Sequence, residues 1–346
     1  MARACFPGAV ASGVLEVRSD LDGLDRGGFW AVVVTFEGAV TCVRFAEVVR
    51  FPDVVVPSPA RLRPGTAWPE LDSVWQSSLD EQAYRAGVVD IRRRIAGGEV
   101  YQVNLCRVLR HHLPESADLR GLYDVLVEGN PAPYACLVDV PEAGLEVVSA
   151  SPELFLRRSG DLVQSRPIKG TAEDLAAMLP KDYAENVMIA DLVRNDLSAV
   201  CRPGTVAVDA LCAAEEHPGL VHLVTTVSGR LRPGMGWGEI AGAMLPPGSV
   251  SGAPKSSALR AIAELETAPR GPYCGAVGWV DADAGKASLA VGIRTFWADR
   301  DQDGARWLRF GTGAGITWGS DPGQEWAETE LKAARLVGLA SGRVRV

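Results

Sequence analysis

Four carboxylates in the chain fall into two pairs at helical spacing. Asp182 and Glu185 lie three apart in "KDYAENVMIADLVRNDLSAV", and Glu325 and Glu328 lie three apart in "EWAETELKA". An i,i+3 spacing turns both members of a pair to one side of a helix. Two such helices could hold a hard cation such as Mg²⁺, which takes one or two carboxylates and fills its shell with water or substrate oxygens. The alternative is a pair of solvated helix faces, with Glu328 and Lys332 as an i,i+4 ion pair. His217 and His222 add little to either reading.

A second candidate is Lys169, in "SRPIKGT". The chain has 35 basic residues, and its lysines are only Lys169, Lys181, Lys255, Lys286 and Lys332. Where arginine is the default cation, a lysine kept in a short Pro/Gly-bounded segment suggests a task arginine cannot do. A guanidinium stays protonated, whereas a desolvated lysine amine loses its proton and attacks carbon. Taken alone, the heptapeptide also reads as a solvated lysine at a strand end.

Two glycine-rich stretches invite phosphate-binding readings that fail. In "GTGAG" (311–315) the third glycine of a dinucleotide fingerprint would fall on Ile316. In "GSVSGAPKS" (248–256) Pro254 stands where a P-loop needs glycine before lysine. Clustered glycines still let backbone N–H groups approach an anion such as a carboxylate. Pro254 is expected to open a helix, bringing its positive end and Lys255 to one point. Ordinary tight turns are the alternative for both.

The elements that must position these residues follow from pattern. Residues 1–75 are Val-rich runs broken by Gly, Pro and Asp, which predicts strands and turns. A proline-rich loop is predicted over 57–70. Helices are predicted from a Ser78 N-cap to Gly97-Gly98, over 182–200, near 236–244 and 255–267, and over 321–340. Strands are predicted over 100–109, 222–231 and 306–315. Hairpins are predicted over 134–150, at Ser159-Gly160-Asp161 and over 274–298. Strands in hairpin pairs, without regular βαβ units, predict an α+β protein with large antiparallel sheets.

The 346 residues are 47% hydrophobic, enough for one large core or two smaller ones. A net charge of −8 argues against a general nucleic-acid surface, though not against a local basic pocket for a small anion. The seven cysteines show neither CxxC pairs nor zinc spacing, so they read as reduced core residues of a cytoplasmic protein. No apolar run reaches about 18 residues, so no membrane span is expected. Pro7 and Gly8 break the N-terminal apolar stretch, so no export signal is expected either.

Taken together, the motifs resemble the chorismate-utilising enzymes related to anthranilate synthase component I. The resemblance runs in order from about residue 80 to the end. It is carried by "GEVYQVNLCR", "NPAPYACL", "SASPELF", "RPIKGT", the segment 181–208, "HLVTTVSGRL", "PPGSVSGAPKSSALRAIAELE", "RGPYCGAVGW", "GIRTF", "GTGAGITWGSDP" and "EWAETELKA". It implies two large antiparallel β-sheets packed together with flanking helices around a buried site. Residues 1–75 would form a shortened N-terminal β-rich part of that globular unit, and 76–346 the chorismate-binding catalytic domain. No counterpart of the family's tryptophan-pocket signature stands in the N-terminal residues, so tryptophan binding is not expected.

The resemblance also implies Mg²⁺ bridging a ring carboxylate of chorismate to Glu185 and Glu328, with Asp182 and Glu325 nearby. Arg294, Tyr273 and the backbone of Gly313, Ala314 and Gly315 match positions for the second carboxylate. Lys332, His222, Thr171 and Gly170 fall at further substrate positions. Where isochorismate and salicylate synthases carry a water-activating lysine, this chain has Gln102, an amide that cannot act as a base. At the third position of P-I-x-G-T, anthranilate synthases typically have alanine and aminodeoxychorismate synthases lysine. Lys169 therefore points to the 4-amino branch, with Lys169 as nucleophile and Glu153 as the acid on the leaving hydroxyl. Ammonia would come from a separate glutamine amidotransferase subunit. Anthranilate synthase, an amino-deoxy-isochorismate synthase and a non-catalytic chorismate-binding subunit are the competing readings.

Overall fold

The computed structural model describes residues 2–51, 67–71, 74–217 and 220–343. Most of the predicted 57–70 loop and the side chain of His217 lie outside the described residues. The chain opens with β1 (Arg3–Phe6), β2 (Ala9–Arg18), β3 (Phe29–Val34), β4 (Val40–Arg50) and the short β5 (Gln76–Ser77). Helix α1 (Glu81–Ala96) leads to β6 (Gln102–His112), then α2 (Leu119–Gly129) and the hairpin β7 (Tyr134–Val140) and β8 (Leu145–Ser151). Next come β9 (Leu154–Ser159), β10 (Leu162–Arg166), β11 (Ile168–Ala172), α3 (Pro180–Ser198), β12 (Ala207–His217) and β13 (Leu220–Arg230). They are followed by α4 (Trp237–Met244), α5 (Gly248–Ser251), β14 (Gly252–Ala253) and α6 (Lys255–Leu265). The chain closes with β15 (Ala276–Asp281), β16 (Lys286–Val291), β17 (Thr295–Arg300), β18 (Arg306–Ile316) and α7 (Pro322–Ala340).

The described strand pairings are all antiparallel. One run of neighbours is β13-β10-β9-β16-β15-β3-β4-β2, and the other is β1-β7-β8-β17-β18-β6. The β1–β2 hairpin joins them. The two sheets are thus separate in packing and continuous in hydrogen bonding.

Period-two alternation along β7 and β8 produces the layers. Cys136, Val138, Val140, Leu145 and Val147 face one way, into a core shared with Val32, Val277 and Leu289 of the other run. Ala135, Leu137, Val148 and Ala150 face the opposite way, against Leu122 and Leu126 of α2 and Leu336 of α7. The fold is α+β, with helices flanking antiparallel sheet, as the sequence pattern leads one to expect.

Local differences have physical causes. Ser78 is not the N-cap of α1: Asp80 accepts from the Ala83 amide at 2.8 Å, while the Ser78 hydroxyl accepts from the Val108 amide at 2.9 Å. Helix α2 was not anticipated, although Asp118 caps it and Leu119, Leu122, Tyr123 and Leu126 mark its buried face. Strand β12 was also missed, because bulges against β13 break its alternation.

A buried ion pair fixes the elements around the site. Arg270 and Glu266, 1% and 7% exposed at their side chains, pair at 2.6 Å and 2.8 Å. Arg270 also donates to the carbonyls of Asn104 on β6 (2.8 Å) and Val250 on α5 (3.0 Å). Glu266 accepts from the Cys106 amide at 2.8 Å. Arg270→Met leaves a buried carboxylate without its cation, and urea unfolding should show a loss of about 3–5 kcal/mol.

Candidate active site

Lys169 reaches the interior because β11 carries one residue more than its partner. Ile168 lies opposite Val224 and Thr171 opposite His222, so three steps along β11 meet two along β13. Such a bulge re-aims a side chain that a regular ladder would leave in the sheet's alternation. Gly170 completes it at φ +87°, where a Cβ would stand 2.9 Å from Asp182 Cβ and 3.1 Å from Leu223 Cδ1. Both the backbone conformation and the space demand glycine. Asn186, 1% exposed on α3, donates its amide to the carbonyls of Lys169 (3.1 Å) and Leu223 (2.8 Å) and accepts from the Thr225 hydroxyl. The residue beside Glu185 therefore clamps the lysine bulge and ties strand to helix.

The Lys169 ammonium donates to the Ser249 carbonyl at 3.0 Å. The Ser249 hydroxyl donates to Glu153 Oε1 at 2.7 Å. Lys169 keeps some accessible surface, whereas Glu153 is buried. Desolvation pushes the lysine below its ordinary value, against the attraction of Glu153, Glu185 and Glu328, and Lys332 adds to the depression. Burial lifts Glu153 to about 7, although the Ser249 hydrogen bond and Lys169 oppose it. An amine pushed toward neutrality beside an acid that holds its proton near pH 7 is the arrangement nucleophile-plus-acid chemistry needs.

The acidic pairs behave unequally. Burial raises Glu185, with Asp182 and Glu328 pushing the same way and Lys169 and Lys181 opposing. Burial raises Glu325 too, against a hydrogen bond from Ser320, and Glu328 adds to the rise. Burial also works on Glu328, but Lys332, Lys181 and Lys169 outweigh it and the carboxyl ends low. The Lys332 ammonium sits 2.6 Å from Glu328 and donates to the Gly313 carbonyl at 3.1 Å, tying α7 to β18. Asp182 accepts from the Leu179 amide at 2.8 Å, so it caps its own helix as well as adding negative charge.

Among the described residues no group of three or more His, Cys, Asp or Glu forms a ready-made metal cage. Glu185 and Glu328 instead offer the sparse donor set on which Mg²⁺ relies when a substrate supplies further oxygens. Burial is the main cause of the rise of Glu185, Asp182 and Glu328 add to it, and a bound cation would offset all three.

Arg294 stands at φ +52°, a left-handed conformation costly for a non-glycine residue. Desolvation alone lowers its pKa, and its guanidinium has no ion pair among the described residues. A strained, desolvated cation without an ion pair has the chemistry to take up an anion. Past Phe310 the pairing of β18 with β17 ends while that with β6 continues, so one edge of 311–316 is free of strand partners. The glycines there make room for neighbours. A Cβ at Gly313 would stand 2.5 Å from Cys106 Sγ, one at Gly315 2.4 Å from Gln102 Nε2, and one at Gly311 2.1 Å from the Tyr273 ring. Tyr273 is buried on that glycine, with the Cys106 thiol 3.8 Å from its hydroxyl. Ala314 is buried, and His222 Nδ1 and Thr171 Oγ1 lie 2.8 Å apart across the β11–β13 ladder.

Gln102 is fully buried, and neither amide atom has a partner among the described residues. Such an orphaned group costs about 1–3 kcal/mol unless a ligand satisfies it. Lys255 corrects the sequence reading of an anion point at the start of α6: its ammonium is taken up by Asp196 at 2.8 Å. Ser249, Asn186 and Asn104 were not singled out from sequence. The signal for Ser249 was its place in "PPGSVSGAPK", and for Asn186 its adjacency to Glu185.

Comparisons with known proteins place the chain by sequence and by fold. Residues 53–338 match the family of chorismate binding enzymes. The chain is 38% identical over 276 residues to anthranilate synthase component 1 of Saccharolobus solfataricus, covering 76% of this chain and 63% of that protein. It is 40% identical over 288 residues to aminodeoxychorismate synthase of Streptomyces pristinaespiralis, covering 80% and 38%. It is 34% identical over 277 residues to aminodeoxychorismate synthase component 1 of Bacillus subtilis, covering 77% and 57%. The chain thus spans less than two thirds of the length of these relatives. In fold it is similar to anthranilate synthase component I of Streptococcus pneumoniae (TM-score 0.78, 22% identity, 96% and 92% covered). It is likewise similar to the menaquinone-specific isochorismate synthase of Escherichia coli (TM-score 0.80, 18% identity, 98% and 89% covered). The fold is that of an enzyme class in which antiparallel sheets are flanked by helices. The chain belongs to the chorismate binding enzyme family.

The Glu153 assignment has a pH-dependent stability consequence. Its carboxyl rises from 4.5 to about 7 on folding, so its contribution to stability is present below 4.5 and is lost as pH climbs through 7. Glu153→Gln should therefore gain on the wild type across that window, by on the order of 3 kcal/mol at its upper end. Urea unfolding at several pH values reads the gap, and a gap independent of pH contradicts the assignment.

Proposed function

We propose that the chain is the synthase component of an aminodeoxychorismate synthase, converting chorismate and ammonia into 4-amino-4-deoxychorismate and water. The observation that supports this best is Lys169, carried on the β11 bulge and joined through Ser249 to a buried Glu153. Neutral Lys169 attacks ring C2, the double bond shifts, and the C4–oxygen bond breaks. Glu153 gives its proton to the departing oxygen, which leaves as water. Ammonia then attacks C4, the double bond shifts back, and the C2–nitrogen bond breaks to free the lysine. The Glu153 carboxylate takes the surplus proton from the new amine, which restores the acid. Without protonation hydroxide would have to leave, so the acid carries much of the rate.

Glu185 and Glu328 would hold Mg²⁺. When bound, the ion supplies the positive charge that lets these acids accept the ring carboxylate of the substrate. Arg294 binds the carboxylate of the enolpyruvyl arm, which provides the missing counter-ion of its guanidinium. The Gln102 amide meets a polar group of the bound reactants on the β6 side.

The relatives named component 1 imply a second component. In this reading it is a glutamine amidotransferase that delivers ammonia. Among the described residues no helix is long and apolar enough to cross a membrane. Anthranilate synthase is the second reading, because relatives with that name match at similar identity. Lys169, where that branch typically has alanine, favours the 4-amino reaction.

The experiment is an incubation with chorismate, Mg²⁺ and an ammonium salt at alkaline pH, coupled to the lyase that releases p-aminobenzoate. Fluorescent p-aminobenzoate is expected, and anthranilate appearing without the lyase supports the second reading. Glu153→Gln should cost about 10²–10⁴-fold in kcat. Lys169→Ala should lose most activity with an unchanged circular-dichroism spectrum, and full activity in that variant contradicts the covalent route.

A further inference from the structure

We propose that Ser249 is a positioning residue, fixing which oxygen of Glu153 carries the acidic hydrogen and holding that acid beside the Lys169 amine. The proposal rests on the lysine–acid reading above, and its test is separable from that reading.

Ser249 is 3% exposed, and its hydroxyl donates to Glu153 Oε1 at 2.7 Å. A carboxyl oxygen that accepts a hydroxyl hydrogen bond serves as the carbonyl-like oxygen of the protonated acid. The acidic hydrogen then belongs on Oε2, free to face the departing group. The backbone that carries Ser249 is held in place. Its carbonyl accepts from Lys169 at 3.0 Å and from the Asn104 amide at 3.4 Å. The next carbonyl, of Val250, accepts from the buried Arg270 at 3.0 Å, and the Ser251 hydroxyl ties back to the Pro247 carbonyl at 3.0 Å. One residue thus touches the amine with its main chain and the acid with its side chain, so the two contacts can be altered separately.

The charged groups facing Glu153 are few. Lys169 comes from β11. Asp196 comes from α3, lining with Glu153, Ser165 and Ser249 a small cavity of about 10 Å³, room for one water at most. Asp196 is already paired with Lys255. Burial raises Glu153, and the Ser249 hydrogen bond is the largest opposing influence. Removing the hydroxyl should therefore move the titration of Glu153 upward, while the lysine contact, made to a main-chain carbonyl, stays.

Infrared difference spectra across pH test this on the whole chain, with the Glu153 band assigned by its loss in Glu153→Gln. The wild type should titrate near 7. Ser249→Ala and Ser249→Val should titrate about one unit higher, and Ser249→Thr, which keeps a hydroxyl, should return to the wild-type midpoint. Acylation of Lys169 by a small reagent, run well above both midpoints so that Glu153 is ionised in every protein, should proceed equally in all four proteins. Identical midpoints, or a Thr variant that follows Val, overturn the proposal. These spectra need no turnover. A wild type that fails to aminate chorismate removes the functional reading, while the midpoints still decide the role of Ser249.

Discussion

Desolvation pushes the Lys169 amine and the Glu153 carboxyl, both within hydrogen-bond reach of Ser249, away from their charged forms. Their mutual attraction works the other way, and for Glu153 burial wins by enough to place it near 7. The proposed chemistry needs the neutral form of each, and the remaining architecture serves to hold them there.

Three elements from distant parts of the chain meet to do this. The bulge in β11 aims the lysine, and Asn186 of α3 locks that bulge to the helix that carries Glu185. The β8–β9 turn carries Glu153, whose carbonyl accepts from Val291 at 3.0 Å at the end of β16. The short α5 carries Ser249, pinned to β6 through Asn104 and the Arg270–Glu266 pair. Opposite them, α7 is tied to β18 by Lys332. A displacement of α3, α5 or β11 therefore disturbs the lysine and the acid together, which explains why a buried ion pair of uncertain net stabilising value belongs here.

Much of this was legible from residue types. The carboxylate pairs of α3 and α7 stood at helical spacing and Lys169 was one of five lysines in an arginine-rich chain, but both patterns also fitted solvated surfaces, and the resemblance singled them out. Hairpin signals at 141–144 and 159–161 gave the antiparallel sheet. The bulge was not legible, because one extra residue in β11 is defined only against β13, some fifty positions away. Ser249 contributes a carbonyl, and main-chain acceptors leave no trace in residue identity. Arg294 was marked by the resemblance alone, because its left-handed backbone and its lack of an ion pair among the described residues are set by the fold. Lys255 misled for the opposite reason: its partner, Asp196, is far along the chain.

The most direct measurement is mass spectrometry of the chain mixed with chorismate and Mg²⁺ in the absence of ammonia, quenched rapidly and digested. The account predicts that the peptide containing Lys169 gains the mass of chorismate less one water, and that added ammonia discharges it. Steady amination of chorismate with that peptide unmodified at every time point would contradict the account.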